Sequence, residues 1–273
     1  MKIAHEAPIS IFHWTQTRTD YDYALVHMFE ESKEYYELFE RALQRGREVI
    51  LDNSIFELGQ AFDRDKYVKW INKLKPTWYI IPDVLEDVQG TLFSFNHWLE
   101  KYAPSVDRSV KKIGVIQGKT YEEIVECYKN IEPFVDKVAI SFDYSYYIES
   151  TKDLEPINKY AAWMFGRQKL LKNMLDDGTI NVNKRHHLLG CALPQEFSAY
   201  SKYSWIDSVD TSNPVVHGIN RITYGNNGLP NKVSTKLIEY MHETLNYDQL
   251  TDIDRNIKRF RGYCFAGTVD SAV

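Results

Sequence analysis

The sequence contains little cysteine: Cys127, Cys191 and Cys264 are the only three in 273 residues. They lie far apart and form no CxxC pair, which argues against a disulfide scaffold and against a cysteine-rich zinc site. Free thiols are typical of a reducing compartment, so we expect a cytoplasmic protein. No apolar run approaches the roughly 18 residues of a membrane span. The N-terminal segment MKIAHEAPISIFHW also lacks the apolar core of a signal peptide.

The sequence also lacks the common phosphate-binding and nucleophile motifs. It has no GxGxxG, no Walker motif and no GxSxG, and we expect no cofactor. Histidine is absent from the predicted strand ends and no spacing is typical of metal ligands, so no metal site is predicted. The chain has no internal repeat of the kind that builds solenoids or propellers.

Positive charge is in slight deficit, with a formal net charge of −5 and a pI near 5.9. This balance excludes a wholly basic surface but leaves room for local contacts with phosphates. Basic clusters occur at 184–187 and 258–261. From them we predict nucleic-acid contacts by Lys184, Arg185, Lys258, Arg259 and Arg261. The alternative interpretation of such clusters is solvated surface charge.

Short apolar runs alternate with amphipathic segments along the chain, a pattern typical of a parallel sheet covered by helices on both faces. The predicted strands are 9–14, 24–28, 48–51, 78–81, 112–116, 137–141, 187–190 and 205–209. Helices are predicted at 32–45, 63–74, 121–131 and 163–174, the third with Thr120 as its N-cap. The pattern predicts an α/β fold, an irregular (β/α)8 TIM barrel, with a doubly wound open sheet as the alternative.

We interpret residues 1–273 as a single barrel domain with two additions. The long connection at 144–185 predicts an insertion that could act as a lid or take part in substrate recognition. After Gly228 the pattern predicts one amphipathic helix at 232–245, followed by a basic C-terminal tail.

Polar residues follow many of the predicted strands. In a barrel, the chemistry lies at the carboxyl ends of the strands, and there the sequence places Asp52, Asp83, Gln117, Asp143 and Asp210. Each aspartate alone could be a turn former or helix cap. Together they suggest glycosidic chemistry, in which one carboxylate attacks an anomeric carbon and another moves a proton. Divalent-metal binding by the same carboxylates is the alternative. We expect His97, His186 and His187 to be surface or core residues.

Four segments, in this order, resemble the motifs of tRNA-guanine transglycosylases. They are 51–59 (LDNSIFELG), 113–118 (IGVIQG), 188–196 (LLGCALPQE) and 205–214 (WIDSVDTSNP). The last matches the spacing of the family's nucleophile strand. The resemblance spans roughly residues 48–214, and the short chain is most similar to the phage and bacterial relatives that insert 7-deazaguanines into DNA.

The resemblance implies a (β/α)8 barrel that exchanges guanine for a 7-deazaguanine without breaking the phosphodiester chain. It implies that Asp210 is the nucleophile toward the sugar C1′ and that Asp52 is the general acid/base. It further implies that Asp83 binds the Watson–Crick edge of the base, and that Gln117 and Gly118 contact its carbonyl. The target nucleotide would be flipped out or single-stranded.

The sequence departs from the family in three places. Only Cys264 follows residue 191, so the C-terminal zinc site of the tRNA enzymes is missing. The family's glycine-rich base-binding segment is replaced by ISFD at 140–143, where Ser141 or Asp143 would read a different substituent. An arginine of the tRNA enzymes is Val215 here, which leaves Arg221 as a further candidate for phosphate contact. These differences and the acidic charge favour DNA over tRNA.

Three hypotheses follow from the sequence. The first is the base-exchange transglycosylase, with nucleic acid and a 7-deazaguanine base as its partners. The second is a metal-dependent barrel hydrolase or lyase that acts on a small molecule. The third is a non-catalytic barrel that binds nucleic acid.

Overall fold

The structure, a computed structural model, describes residues 1–154, 157–234 and 236–265. Eight parallel strands form a nearly closed barrel in the order β1-β8-β7-β6-β5-β4-β3-β2. The strands are β1 (Lys2–Ala4), β2 (Asp22–Leu25), β3 (Val49–Asp52), β4 (Trp78–Ile80), β5 (Lys111–Ile116), β6 (Lys137–Ile140), β7 (Arg185–Leu189) and β8 (Ile206–Asp210). The predicted (β/α)8 barrel is confirmed, and the open-sheet alternative is wrong.

The gap between β1 and β2 is bridged by a residue of their connection. Asp20 donates its backbone N–H to the carbonyl of Ile3, and its carboxylate accepts the backbone N–H of the same residue at 2.9 Å. The edge strands β1 and β2 are therefore joined through Asp20 and not by a ladder of backbone hydrogen bonds between the strands.

The strands are apolar because they are covered on both faces. Residues 49–51 and 78–80 are buried throughout, and the helices around the barrel pack onto the same core. The helices are α1 (Phe12–Gln16), α2 (Met28–Glu31), α3 (Lys33–Gln44), α4 (Ile55–Leu58), α5 (Arg64–Leu74), α6 (Val88–His97), α7 (Tyr121–Ile131), α8 (Ser145–Ser150), α9 (Lys159–Asp176), α10 (Asn213–Ile219) and α11 (Tyr247–Phe265). None of the described helices is long and apolar enough to cross a membrane.

Several of these helices have a side-chain N-cap, as their sequences predict. Thr120 accepts the backbone N–H of Glu123 at the start of α7, which confirms the predicted cap. Ser32 and Asp63 do the same for α3 and α5. The four predicted helices at 32–45, 63–74, 121–131 and 163–174 are therefore present, the last as part of the longer α9.

The predicted first strand at 9–14 is wrong. Residues 9–11 form a 3₁₀ turn and continue into α1, while the true first strand is β1. A three-residue strand with the sequence KIA is too short to show a pattern, whereas the apolar residues at 9–14 fit either period. The predicted strand at 24–28 is also shifted, since β2 ends at Leu25 and α2 begins at Met28.

The two predicted additions have different outcomes. The insertion at 144–185 contains α8 and α9, with residues 155–156 outside the described residues. The single amphipathic helix predicted at 232–245 is wrong, because its described part contains only a 3₁₀ turn at Leu237–Tyr240. The basic residues at 258–261 belong to α11, and the tail at 266–273 lies outside the described residues.

Candidate active site

A cavity of about 310 Å³ opens at the carboxyl ends of the strands. It lies at the lower end of the size range of small-molecule sites. Of the residues predicted from strand ends and resemblance, six line this cavity: Asp52, Asp83, Gln117, Ser141, Asp143 and Asp210. Gly118 does not line it. A Cβ on Gly118 would lie 2.9 Å from the backbone nitrogen of Ile124, so this glycine permits close packing against α7.

Asp210, the last residue of β8, is held from inside the barrel. Its Oδ1 lies 2.9 Å from Nε2 of His187, a fully buried residue of β7. Nδ1 of His187 lies 3.0 Å from Oγ of Ser208, and Nζ of Lys137 donates to the same oxygen at 3.0 Å. Lys137 also forms a 2.6 Å ion pair with Asp207.

The tautomer of His187 follows from its contact with Asp210. An ionised carboxylate can only accept, so Nε2 of His187 carries the imidazole hydrogen and donates to Asp210. Nδ1 then accepts the hydroxyl hydrogen of Ser208, whose oxygen accepts from Lys137. Burial lowers the pKa of His187, which favours the neutral ring that this arrangement needs. We expected His187 to be a surface or core residue, and its contact with Asp210 was not foreseen.

Glu6 is a second neighbour of Asp210 that the sequence analysis missed. It lies two residues beyond β1, lines the cavity, and its side chain is hydrogen-bonded to that of Asp210. Burial raises the pKa of Glu6 well above its ordinary value, and the charges of Asp210 and Glu57 raise it further. A protonated Glu6 can donate its hydrogen to an ionised Asp210, so two donors converge on the candidate nucleophile.

Asp52, the last residue of β3, lies where burial favours its protonated form. Burial raises its pKa well above the ordinary value, and the charges of Glu57, Asp210 and Asp83 add to the effect. The backbone N–H of Ser54, which donates to Oδ2 at 3.1 Å, opposes this shift. Ser54 itself has a left-handed backbone with φ of 62°, a strained conformation for a non-glycine residue.

Asp83 is oriented by two side-chain amides. Asn53 donates to its Oδ1 at 2.9 Å, and Gln117 donates to its Oδ2 at 2.7 Å. The Oε1 atom of Gln117 accepts the backbone N–H of Glu86 at 2.9 Å, so both ends of this amide are engaged. Burial raises the pKa of Asp83, and the two amide donors oppose it. Gln117 thus acts here on Asp83, and Asn53 is a partner that the sequence did not indicate.

The segment at 141–143 and its neighbours form another wall of the cavity. Ser141 donates to the carboxylate of Asp143 at 2.7 Å. The ammonium of Lys232 lies 4.1 Å from the ring centre of Phe142 and donates to the carbonyl of Cys191 at 2.9 Å. Burial raises the pKa of Asp143 and lowers that of Lys232, so both charges are costly in this apolar setting.

None of the six basic residues predicted to contact nucleic acid lines this cavity. Lys184 and Arg185 lie at the amino end of β7, opposite the end that carries Asp210. Most of the six are engaged with carboxylates or an amide: Lys184 with Glu132, Arg221 with Asp248 and Asp252, Lys258 with Asp254, Arg261 with Asp20, and Arg259 with Asn226. Their contact with nucleic acid stays a prediction.

Among the described residues, no group of three or more His, Cys, Asp or Glu side chains is arranged to hold a metal ion. Comparison of the chain with family models and with curated proteins finds no match.

Proposed function

We propose that the protein is a base-exchange transglycosylase. It replaces guanine in nucleic acid, DNA in preference to tRNA, by a 7-deazaguanine through a covalent bond between Asp210 and the sugar. The observation that carries the proposal is that two carboxyl groups with different surroundings line one cavity: Asp210 accepts from His187, whereas burial raises the pKa of Asp52. Different environments are what assign nucleophile and acid in a carboxyl pair.

In the first half-reaction, an oxygen of Asp210 attacks C1′ of the target nucleotide. The bond from C1′ to the guanine nitrogen breaks, and its electron pair leaves with the base. Asp52 donates its proton to the departing guanine, so the products are an Asp210–sugar ester, neutral guanine and ionised Asp52. His187 and Glu6 orient the attacking carboxylate before the ester forms.

The second half-reaction reverses these roles. Ionised Asp52 takes the ring N–H proton of the incoming 7-deazaguanine, whose nitrogen attacks C1′ and displaces Asp210 as a carboxylate. Every proton and electron pair returns to its starting place, so the exchange requires no external energy source. The phosphodiester chain takes no part in either step.

Asp83 is the candidate acceptor for the donor edge of the base. Its carboxylate is held by Asn53 and Gln117, and a carboxylate fixed on two sides presents its remaining lone pairs in one direction. A guanine-like edge offers two adjacent N–H donors, whereas adenine does not. A site built to pair with such donors rejects a base that lacks them.

The test is guanine exchange. Purified protein is incubated with labelled guanine and, in parallel, duplex DNA, single-stranded DNA and unmodified tRNA, and label in each polymer is counted. We expect label in DNA. Label in tRNA alone would overturn the preference for DNA. Absence of label from all three polymers, with the protein folded, would overturn the transglycosylase assignment, and retained binding would then favour the non-catalytic barrel. A divalent-metal requirement would favour the second hypothesis.

A further inference from the structure

One side of the cavity mouth combines positive charge with aromatic rings. Lys159, Tyr160 and Trp163 come from the start of α9, and Lys236 comes from the segment after α10; all four line the cavity. We call these four residues the basic–aromatic wall. The Lys159 ammonium lies 5.0 Å from the ring centre of Tyr160 and 5.5 Å from that of Trp163. That of Lys236 lies 5.0 Å from the ring centre of Phe56.

The two segments that carry the wall are fixed to each other. Asn158 caps α9 by accepting the backbone N–H of Ala161, and its Nδ2 donates to the carbonyl of Pro230 at 2.7 Å. Gln195, beyond β7, donates to the carbonyl of Leu229 at 2.8 Å. The segments that carry the wall are therefore held in place by hydrogen bonds to each other and to the rest of the barrel rim.

The two lysines of the wall carry exposed charge at the cavity, where burial raises the pKa of Glu57 and the charge of Lys236 lowers it. In the described part of the chain, neither Lys159 nor Lys236 forms an ion pair with a carboxylate, and both side chains are exposed. The carboxyl groups of the site lie deeper in the same cavity. A ligand that suits this distribution carries anionic groups at the mouth and a neutral, hydrogen-bonding group inside, as a nucleotide within a polynucleotide does.

We propose that the basic–aromatic wall binds the polynucleotide on either side of the nucleotide that enters the cavity. Lys159 and Lys236 contact phosphates, and Tyr160 with Trp163 stacks an unpaired neighbouring base. The inference rests on the proposed function, since it names the polymer surface for that same site. It assigns this contact to residues outside the basic clusters of the sequence.

The test measures the salt dependence of binding. A labelled single-stranded DNA oligonucleotide containing guanine is titrated with Asp210→Asn protein, which permits binding without turnover. Log affinity for single strands falls with log salt by about 0.7 per phosphate contact. Adding Lys159→Ala and Lys236→Ala should therefore reduce the slope by about 1.4. Tyr160→Ala should weaken binding by about tenfold at an unchanged slope, because stacking involves no counterion release.

The matched control carries Lys33→Ala and Lys101→Ala, which also remove two positive charges but lie at exposed positions outside the cavity. Its slope should equal that of the parent protein. A full slope in the Lys159/Lys236 variant, or loss of slope in the control instead, would overturn the proposal, as would absence of binding by the folded parent. Thermal unfolding of each variant confirms that it is folded.

The two proposals fail separately. Wall-dependent binding without guanine incorporation into any polymer would overturn base exchange and leave the wall as a nucleic-acid surface. Guanine incorporation by the wild-type protein, with a full salt slope in the Lys159/Lys236 variant, would overturn the wall and leave base exchange standing.

Discussion

Nε2 of His187 lies 2.9 Å from Oδ1 of Asp210, between neighbouring strands in the interior of the barrel. The register explains the contact: Leu189 pairs with Asp210 and His187 pairs with Ser208, so His187 lies one inward position below the carboxylate. His187 thus holds the carboxylate of Asp210 from the amino-terminal side of the barrel interior, while the carboxylate also lines the cavity. A substrate can approach Asp210 without competing with His187 for space.

Replacing His187 should slow formation of the Asp210–sugar adduct. His187→Leu removes the donor, and a carboxylate displaced by about 1 Å can lose about a hundredfold in rate. His187→Gln retains an N–H near the position of Nε2 and should recover most of that loss. Single-turnover adduct formation measures the effect, and guanine binding should change little because the lost contact is to the nucleophile. His186→Gln, next to it on β7, is the control: a similar loss there would indicate general damage to the strand.

Replacing Asp210 should abolish covalent chemistry and leave the fold intact. In Asp210→Asn, the amide oxygen can still accept from His187, but the side chain cannot attack C1′. Denaturing electrophoresis with labelled DNA should show an adduct for the wild-type protein and for Asp176→Asn, an exposed substitution on α9, but none for Asp210→Asn. An adduct that survives in Asp210→Asn would assign the nucleophile to another residue.

Adduct formation should depend on pH through Asp52. Because burial raises the pKa of Asp52, its acid form persists at a pH where an exposed aspartate is ionised. The rate of guanine departure should fall tenfold per pH unit above that raised pKa. Asp52→Asn should lower the rate by roughly 10²–10⁴-fold and remove this decline. If Asp52→Asn keeps the same pH profile, Glu6 becomes the candidate acid.

Ionisation of Glu6 should lower the free energy of unfolding as the pH rises. Its pKa is raised in the folded state, so the folded protein holds this proton where the unfolded chain, with a pKa of about 4.3, has lost it. Its contribution to the free energy of unfolding is fully present below about pH 4 and is lost as the pH rises through the folded-state pKa. Glu6→Gln should therefore unfold about 3 °C above the wild type at neutral to alkaline pH, with a smaller difference in acid.

Calorimetry across that pH range measures this difference. The exposed substitution Glu122→Gln on α7 should leave the curve unchanged. A Glu6→Gln protein less stable than the wild type at every pH would show that the hydrogen bond to Asp210 outweighs the burial of the carboxyl group.

The carboxyl groups of the site could be predicted from sequence because parallel strands all end at one rim. Asp52 and Asp210 end their strands, and Asp83 and Asp143 follow theirs, so identifying the strands was enough to bring these four together. The barrel itself was predictable for a related reason, since strands buried on both faces appear as bare apolar runs.

Other parts of the site have no such signal. Glu6 follows a strand of only three residues, and Lys159 begins α9 ahead of the predicted helix at 163–174. Lys236 lies in a segment whose pattern predicted a helix that the structure does not contain. His187 offers one missed sign: Ser208 and Asp210 are two apart and share a strand face, and a buried histidine on an adjacent strand is placed to contact both. The basic clusters give no sign in sequence of the ion pairs that their members form with residues distant along the chain, as Arg261 does with Asp20.

The hydrogen-bonded chain from Lys137 to Asp210 spans the barrel from its amino to its carboxyl end. Lys137 begins β6 and Asp210 ends β8, with Ser208 and His187 between them. The amino end of the barrel, which is farthest from the cavity, is therefore connected to Asp210 by hydrogen bonds. A substitution such as Lys137→Met lies outside the cavity, yet it removes a donor that holds the hydroxyl of Ser208 beside His187. Substitutions at that end of the barrel should therefore be selected for their effect on the proposed reaction as well as for their effect on folding.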